Sequence, residues 1–220
     1  MSKLHCMESN AWRAFDPKFA DNYLRSDESR EQSARNKVVS LISDTYADIQ
    51  IDENGARRAL RLLEFGSGNG ERLDKVLDTR IKVDWTGIDI SSALVESATL
   101  RHPNQTWIVG DAEYPELVLG DALRRPYDIC LFCHVLEMLD SPELALRKAK
   151  LIGNITIIEF FEPPNGKVHK TEIKFLPETS LPYLRHTIGR DTYLAWIANA
   201  GFKNLIIHQT FGEYEVHVLY

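Results

Sequence analysis

Leu62-Leu63-Glu64-Phe65-Gly66-Ser67-Gly68-Asn69-Gly70 is the stretch on which the reading of this chain turns. An apolar run with strand character, Leu60 to Phe65, enters a turn with glycine at alternate positions. Glu71 to Asp78 follows with helical spacing. Glycine adopts backbone angles closed to other residues and lets a ligand approach the main chain. The first turn of a helix adds unpaired N–H groups. A dinucleotide-binding turn needs G-x-G-x-x-G, and here Glu71 stands where the third glycine would be. Glu64, two residues before the first glycine, would repel a pyrophosphate and suits a ligand that carries positive charge.

Outward from this turn the chain alternates. Val83 to Ile90 reads as a strand, and Ser91 to Arg101 as a helix capped by Ser91 or Ser92. Gln105 to Val109 is a short strand and Pro115 to Leu123 is helical. Tyr127 to Val135 is a nearly continuous apolar run, the pattern of a central strand buried on both faces. Pro142 to Leu151 is a helix with Ser141 as its cap, and Ile155 to Phe161 is a further apolar strand. This order predicts an α/β fold, a mostly parallel doubly wound sheet with helices on both faces. Asp191 to Ala200 is a helix stopped by Gly201. Leu205 to Phe211 and Tyr214 to Tyr220, separated by Gly212 and Glu213, form an antiparallel C-terminal hairpin. Upstream, residues 28 to 50 read as a helix, preceded by the aromatics Trp12, Phe15, Phe19 and Tyr23. Residues 163 to 189 hold four prolines and two glycines and show no clear period.

The chain has 220 residues, of which 44% are hydrophobic and 26% charged, enough for one sizeable core. We therefore expect one domain over residues 1–220, with 1–58 as an N-terminal helical cover and 163–190 as a substrate lid. The net charge of −6 does not favour a nucleic-acid-binding surface. No signal peptide is read at the N-terminus, and no run reaches the roughly 18 apolar residues of a membrane span. Three cysteines build no disulfide framework, so a cytoplasmic location is expected. Cys130 and Cys133 lie inside an apolar run and read as buried strand thiols. The dispersed histidines show no metal-ligand spacing, so no metal is expected.

Two further acids follow the glycine turn. Asp89, in Trp85-Thr86-Gly87-Ile88-Asp89-Ile90-Ser91, ends the second strand, where a carboxylate accepts hydrogen bonds from ribose hydroxyls. Asp111, in Val109-Gly110-Asp111-Ala112-Glu113, follows the third strand, within reach of an adenine amino group. E-x-G-x-G-x-G, G-x-D-I-S, G-D-A and Y-D-I-C-L-F-C-H-V-L-E, in that order, resemble the class I S-adenosylmethionine-dependent methyltransferases over roughly residues 59 to 160. The resemblance implies a seven-stranded sheet and S-adenosylmethionine as cofactor. It places Glu64, Gly66, Ser67, Gly68 and Gly70 at the methionine portion and Asp89 and Ile90 at the ribose. Asp111 and Ala112 fall at the adenine, Cys133 and His134 line the site after strand four, and Tyr23 belongs to an N-terminal cover.

His134 and Glu137, after the fourth strand, are the candidate catalytic residues. An imidazole titrates near neutrality and can take a proton from an acceptor. Glu162, His169, Tyr183, Arg185 and His186 are candidate substrate contacts, because long loops at the carboxyl ends of strands carry binding residues. Residues 163 to 190 carry five Lys or Arg against two Glu, a net +3 in an acidic chain, which would face an anionic substrate. The expected activity is methyl transfer to an O or N atom of a small metabolite, anionic or a sugar or natural-product intermediate. The fourth strand ends in C-H-V-L rather than N-P-P-Y, which lowers an RNA or protein acceptor. A catalytically silent partner or regulatory protein is the alternative reading, and a dehydrogenase lacks its third glycine. The partner is a small molecule, with no membrane; the acceptor and the oligomeric state are not readable.

Overall fold

The computed structural model describes residues 28–49, 51, 53, 55–160, 162–166, 168–175, 182–210 and 214–220. Tyr23 and the other N-terminal aromatics lie outside the described residues. Helix α1 (Glu28–Ala47) precedes strand β1 (Leu60–Phe65), helix α2 (Glu71–Leu77), strand β2 (Val83–Asp89), helix α3 (Ser92–Arg101) and strand β3 (Thr106–Val109). A single turn, α4 (Glu116–Leu119), then leads to β4 (Tyr127–Cys133), α5 (Pro142–Ile152) and β5 (Gly153–Glu159). Strands β6 (Lys170–Phe175) and β7 (Pro182–Thr187), helix α6 (Arg190–Ala200) and strands β8 (Leu205–Gln209) and β9 (Glu215–Leu219) complete the chain.

The main sheet has seven strands in the order β3-β2-β1-β4-β5-β9-β8. The first five are mutually parallel, and β9 runs antiparallel to both β5 and β8. This is the doubly wound sheet and terminal hairpin expected from the sequence. Strand order reverses between β1 and β4, the point where open α/β sheets leave a crevice at the carboxyl ends of the strands.

Each face of the sheet buries its own core, as side chains alternate across a strand. Leu62 of β1, Leu131 of β4 and Ile157 of β5 pack with Ala34, Val38 and Ile42 of α1 and Leu73 and Val76 of α2. On the opposite face Phe65, Phe132, Ile158 and Phe160 pack against Ala145, Leu146 and Ala149 of α5 and Tyr193 and Ile197 of α6. The Phe65 and Phe132 rings stack at 4.4 Å.

Two local expectations differ from the structure. Ser141 precedes α5 without a side-chain cap; its backbone N–H instead donates to the Glu113 carboxylate. The stretch without clear period contains the β6–β7 hairpin, a separate two-stranded sheet. Its register sets Thr171 with His186, Ile173 with Leu184 and Phe175 with Pro182 on one face. Lys170, Glu172 and Lys174 alternate onto the other face. The hairpin packs through β7 on the short 3₁₀ turn Leu136–Met138 that follows β4.

Candidate active site

The glycine turn is a backbone construction. Gly66, Gly68 and Gly70 have φ of 65°, 56° and 75°, left-handed values that favour glycine. Gly66 and Ser67 N–H both donate to the carbonyl of Ile88 in β2, at 2.8 and 3.1 Å, so the turn is pinned to the neighbouring strand. A Cβ on Gly66 would come within 2.4 Å of Val135, whereas one on Gly68 would meet nothing within 4 Å among the described residues. Gly66 is thus required by packing, and Gly68 leaves open space in front of the loop.

Asp89 faces this turn from the end of β2. Its Oδ2 accepts from Gly68 N–H at 2.8 Å and its Oδ1 from Ser91 N–H at 2.9 Å. Burial raises its pKa, against those backbone bonds, which favour the charged form. Each carboxylate oxygen has a second lone pair, so two hydroxyl donors can still be accepted. Ile90 follows at the rim, half-buried. Ser91 caps α3 by accepting from Leu94 N–H. Asp111 sits in a tight turn after β3, its Oδ1 accepting from Glu113 N–H at 2.9 Å, and Ala112 beside it is buried in the core.

Behind the glycine loop lies a buried charged cluster. By strand register Glu64 of β1, Cys133 of β4 and Glu159 of β5 share the face covered by α2. Arg72 of α2 reaches into them, its Nη2 2.7 Å from Glu159 and its Nε 3.5 Å from Glu64. Glu64 and Glu159 are 2% and 1% exposed. The two carboxylates share one guanidinium unequally, and their titration separates. Burial raises Glu64 to about 8, outweighing the attraction of Arg72. Burial also pushes Glu159 upward, but close Arg72, then His134 and the Cys133 thiol, overcome it and hold Glu159 down to about 2. At neutral pH Glu159 therefore carries the negative charge and Glu64 a proton.

His134 stands where β4 ends. Its φ of 56° is a left-handed value uncommon for a residue with a side chain. Its backbone N–H donates to the Glu159 carbonyl at 2.9 Å, and its Nε2 lies 3.5 Å from Glu159 Oε1. The ring also approaches Tyr214, with centroids 6.4 Å apart. Glu137, one turn on, is 1% exposed, and its Oε1 accepts from Glu162 N–H at 3.3 Å. That bond ties the loop after β4 to the start of the insert.

The remaining sequence-predicted contacts divide. Glu162 is exposed and pairs with Arg185 at 3.6 Å. Tyr183 is buried within the hairpin. His186 is buried too: its Nε2–H donates to the Leu139 carbonyl and its Nδ1 accepts from the Thr171 hydroxyl, both at 2.8 Å. Burial lowers its pKa. His169 stacks on His186 and meets Trp196 of α6 edge-on, so both imidazoles serve the hairpin's attachment. Lys170 and Lys174 both pair with Glu172, so part of the insert's positive charge is satisfied internally. Arg72 and Glu159 were not among the candidate site residues read from the sequence, although Glu159 is a charged residue at the end of an apolar strand.

A cleft of about 680 Å³ opens at the opposite, amino-terminal end of β4 and β5, around Arg57, Arg58, Asp128 and Ile155. Arg58 and Asp128 are tied there by two 2.6 Å hydrogen bonds, remote from the glycine turn. Among the described residues no His, Cys, Asp or Glu group could hold a metal ion, and no helix is long and apolar enough to cross a membrane.

Residues 32–205 match the family model described as a methyltransferase domain. The chain belongs to that family. It is an S-adenosylmethionine-dependent methyltransferase. Its fold is that of DhpI in complex with S-adenosylhomocysteine, at TM-score 0.66 and 14% identity, covering 98% of this chain and 97% of that one. CalS10 of Micromonospora echinaspora, an amino pentose methyltransferase with S-adenosylmethionine bound, superimposes at 0.63 with 16% identity, covering 93% and 96%. DesVI of Streptomyces venezuelae gives 0.60 and 14%, covering 93% and 98%. No curated protein matches the chain by sequence.

The methyltransferase's residues fit this cofactor. Gly68 leaves open space where a Cβ would stand, and Asp89 retains acceptor capacity. Among the described residues the buried Ser67 Oγ finds no hydrogen-bond partner. A cation arriving beside Glu64 favours its ionised form.

Proposed function

We propose that the protein methylates an O or N atom of a small polar metabolite, a sugar or natural-product intermediate, with His134 as the base. The observation that carries the reading is the placement of His134. A strained, partly buried imidazole ends β4 beside the switch point, with a buried carboxylate behind it and the docked insert alongside. The cofactor portions are held by Glu64, Gly66, Ser67, Gly68 and Gly70 on the methionine side, Asp89 and Ile90 at the ribose, and Asp111 and Ala112 at the adenine. Cys133 and His134 close the reactive end.

Bound S-adenosylmethionine supplies a methyl group already activated on a sulfonium. The protein's part is to hold the acceptor in line and to receive its proton. Glu64, the glycine turn and Asp89 would hold that cofactor, and His134 would take the proton that the acceptor gives up on receiving the methyl group. The insert, with Glu162 and Arg185 at its start and on β7, supports recognition of a polar acceptor. The likeness in fold to CalS10, an amino pentose methyltransferase, supports a sugar acceptor.

The test is incubation with methyl-labelled S-adenosylmethionine and a panel of amino and hydroxy sugars, neutral and anionic, read by mass spectrometry. A labelled sugar product is expected, and His134→Asn should slow its formation by about 10²-fold or more while S-adenosylhomocysteine affinity stays near wild type. Cofactor binding without any acceptor turning over would favour a silent partner protein. A wild-type rate for His134→Asn would return His134 to packing.

A further inference from the structure

We infer that Glu159 is a positioning residue for His134, locked in place by Arg72. The inference rests on the reading of His134 as the base. Two links join these residues: the His134 main-chain N–H to the Glu159 carbonyl at 2.9 Å, and Nε2 to Oε1 at 3.5 Å. The ring thus presents Nε2 to a buried carboxylate at ion-pair distance, from a backbone held at φ 56°.

The consequence is a tautomer. A carboxylate accepts only, so Nε2 keeps its proton toward Glu159 and the basic lone pair falls on Nδ1. When the acceptor's proton moves to Nδ1, Nε2–H stays with Glu159, and the imidazolium forms beside a negative charge. Glu159 does this because three groups converge on it: Arg72 at 2.7 Å from α2, His134 and Cys133 from β4. These same partners hold it ionised, which makes it a poor base and a good orienting anion. Glu64, the other acid on this face, is the more distant partner of Arg72 and carries a proton at neutral pH.

Glu159→Gln keeps the shape and removes the charge. We expect ¹⁵N NMR of the cofactor-free protein to show His134 losing its Nε2–H preference. Turnover should fall by about tenfold or more, with the acid limb of the rate profile moved to lower pH. S-adenosylhomocysteine affinity should stay within about twofold. His134→Asn combined with Glu159→Gln should be no slower than His134→Asn alone, because the two act as one unit. Should Glu159→Gln fail to fold, Glu159→Asp, which retracts the charge by one methylene, reads the same tautomer. An unchanged tautomer, losses that multiply in the double variant, or cofactor affinity falling in step with rate would each overturn the inference. Those outcomes together with a slow His134→Asn leave the base assignment standing; a wild-type rate for His134→Asn removes both.

Discussion

The two faces of the parallel sheet begin alike and end differently. Along β1, β4 and β5 both are lined by buried apolar side chains. At the carboxyl edge one face closes with stacked Phe65 and Phe132 beside Phe160, as any core does. The other closes with Glu64, Cys133 and Glu159 around Arg72, buried charge that costs stability unless every group is paired. A fold needs the first kind of ending; the second is the one on which we place the chemistry. The charged face carries the glycine turn and His134, while the aromatic face supports them from behind.

Removing one partner of the charged ending should have the largest effect. Arg72→Met leaves Glu159 ionised and buried without its main partner, and should destabilise the fold by about 3–5 kcal/mol. Phe132→Leu on the aromatic face keeps an apolar side chain there and should cost about 1–2 kcal/mol. Chemical denaturation of both variants reads the difference, and equal losses would remove the distinction between the faces.

Asp89→Ala sharpens the comparison at the cofactor. It removes the acceptor of the Gly68 N–H and the proposed ribose contact, and should weaken S-adenosylhomocysteine binding by about 1–3 kcal/mol in calorimetry. Unchanged affinity would sink the ribose assignment.

The charged ending also carries a pH dependence. Glu64 titrates near 8 in the folded protein against an ordinary 4.5, so the folded state keeps a proton that the unfolded chain releases. Its contribution to stability is fully present below pH 4.5 and is lost as pH rises to 8. Glu159, held down to about 2, contributes above 4.5 and loses that contribution as pH falls toward 2. Glu64→Gln should therefore flatten the decline of thermal stability between pH 4.5 and 8 and leave the limb below pH 4.5 in place. An unaltered slope in that window would assign the decline to other groups.

The fold and the cofactor class were legible because their signals are local. Glu64, the glycines, Asp89 and Asp111 each sit at the carboxyl end of a strand and can be read without knowing which strands are neighbours. The cluster behind them is not local. Arg72, His134 and Glu159 meet only once β1, β4 and β5 are placed side by side and α2 is laid across them. A signal did exist: Arg72 is one helical turn from buried Val76, and Glu159 interrupts an apolar strand, so each needed a partner of opposite charge. The β6–β7 hairpin was hidden by its flanking prolines. Lys170-Thr171-Glu172-Ile173-Lys174-Phe175 nevertheless alternates with the period of two that a strand requires.

The proposed occupant of the glycine turn and Asp89 is a sulfonium cofactor, with the Glu64 carboxyl group beside it. Calorimetric titration with S-adenosylmethionine, S-adenosylhomocysteine and NAD tests this most directly. Micromolar binding of the first two is expected, none of NAD, and release of a proton from Glu64 on binding S-adenosylmethionine near pH 7, visible as a heat that depends on the buffer. Binding of NAD with no binding of either sulfur compound would contradict it.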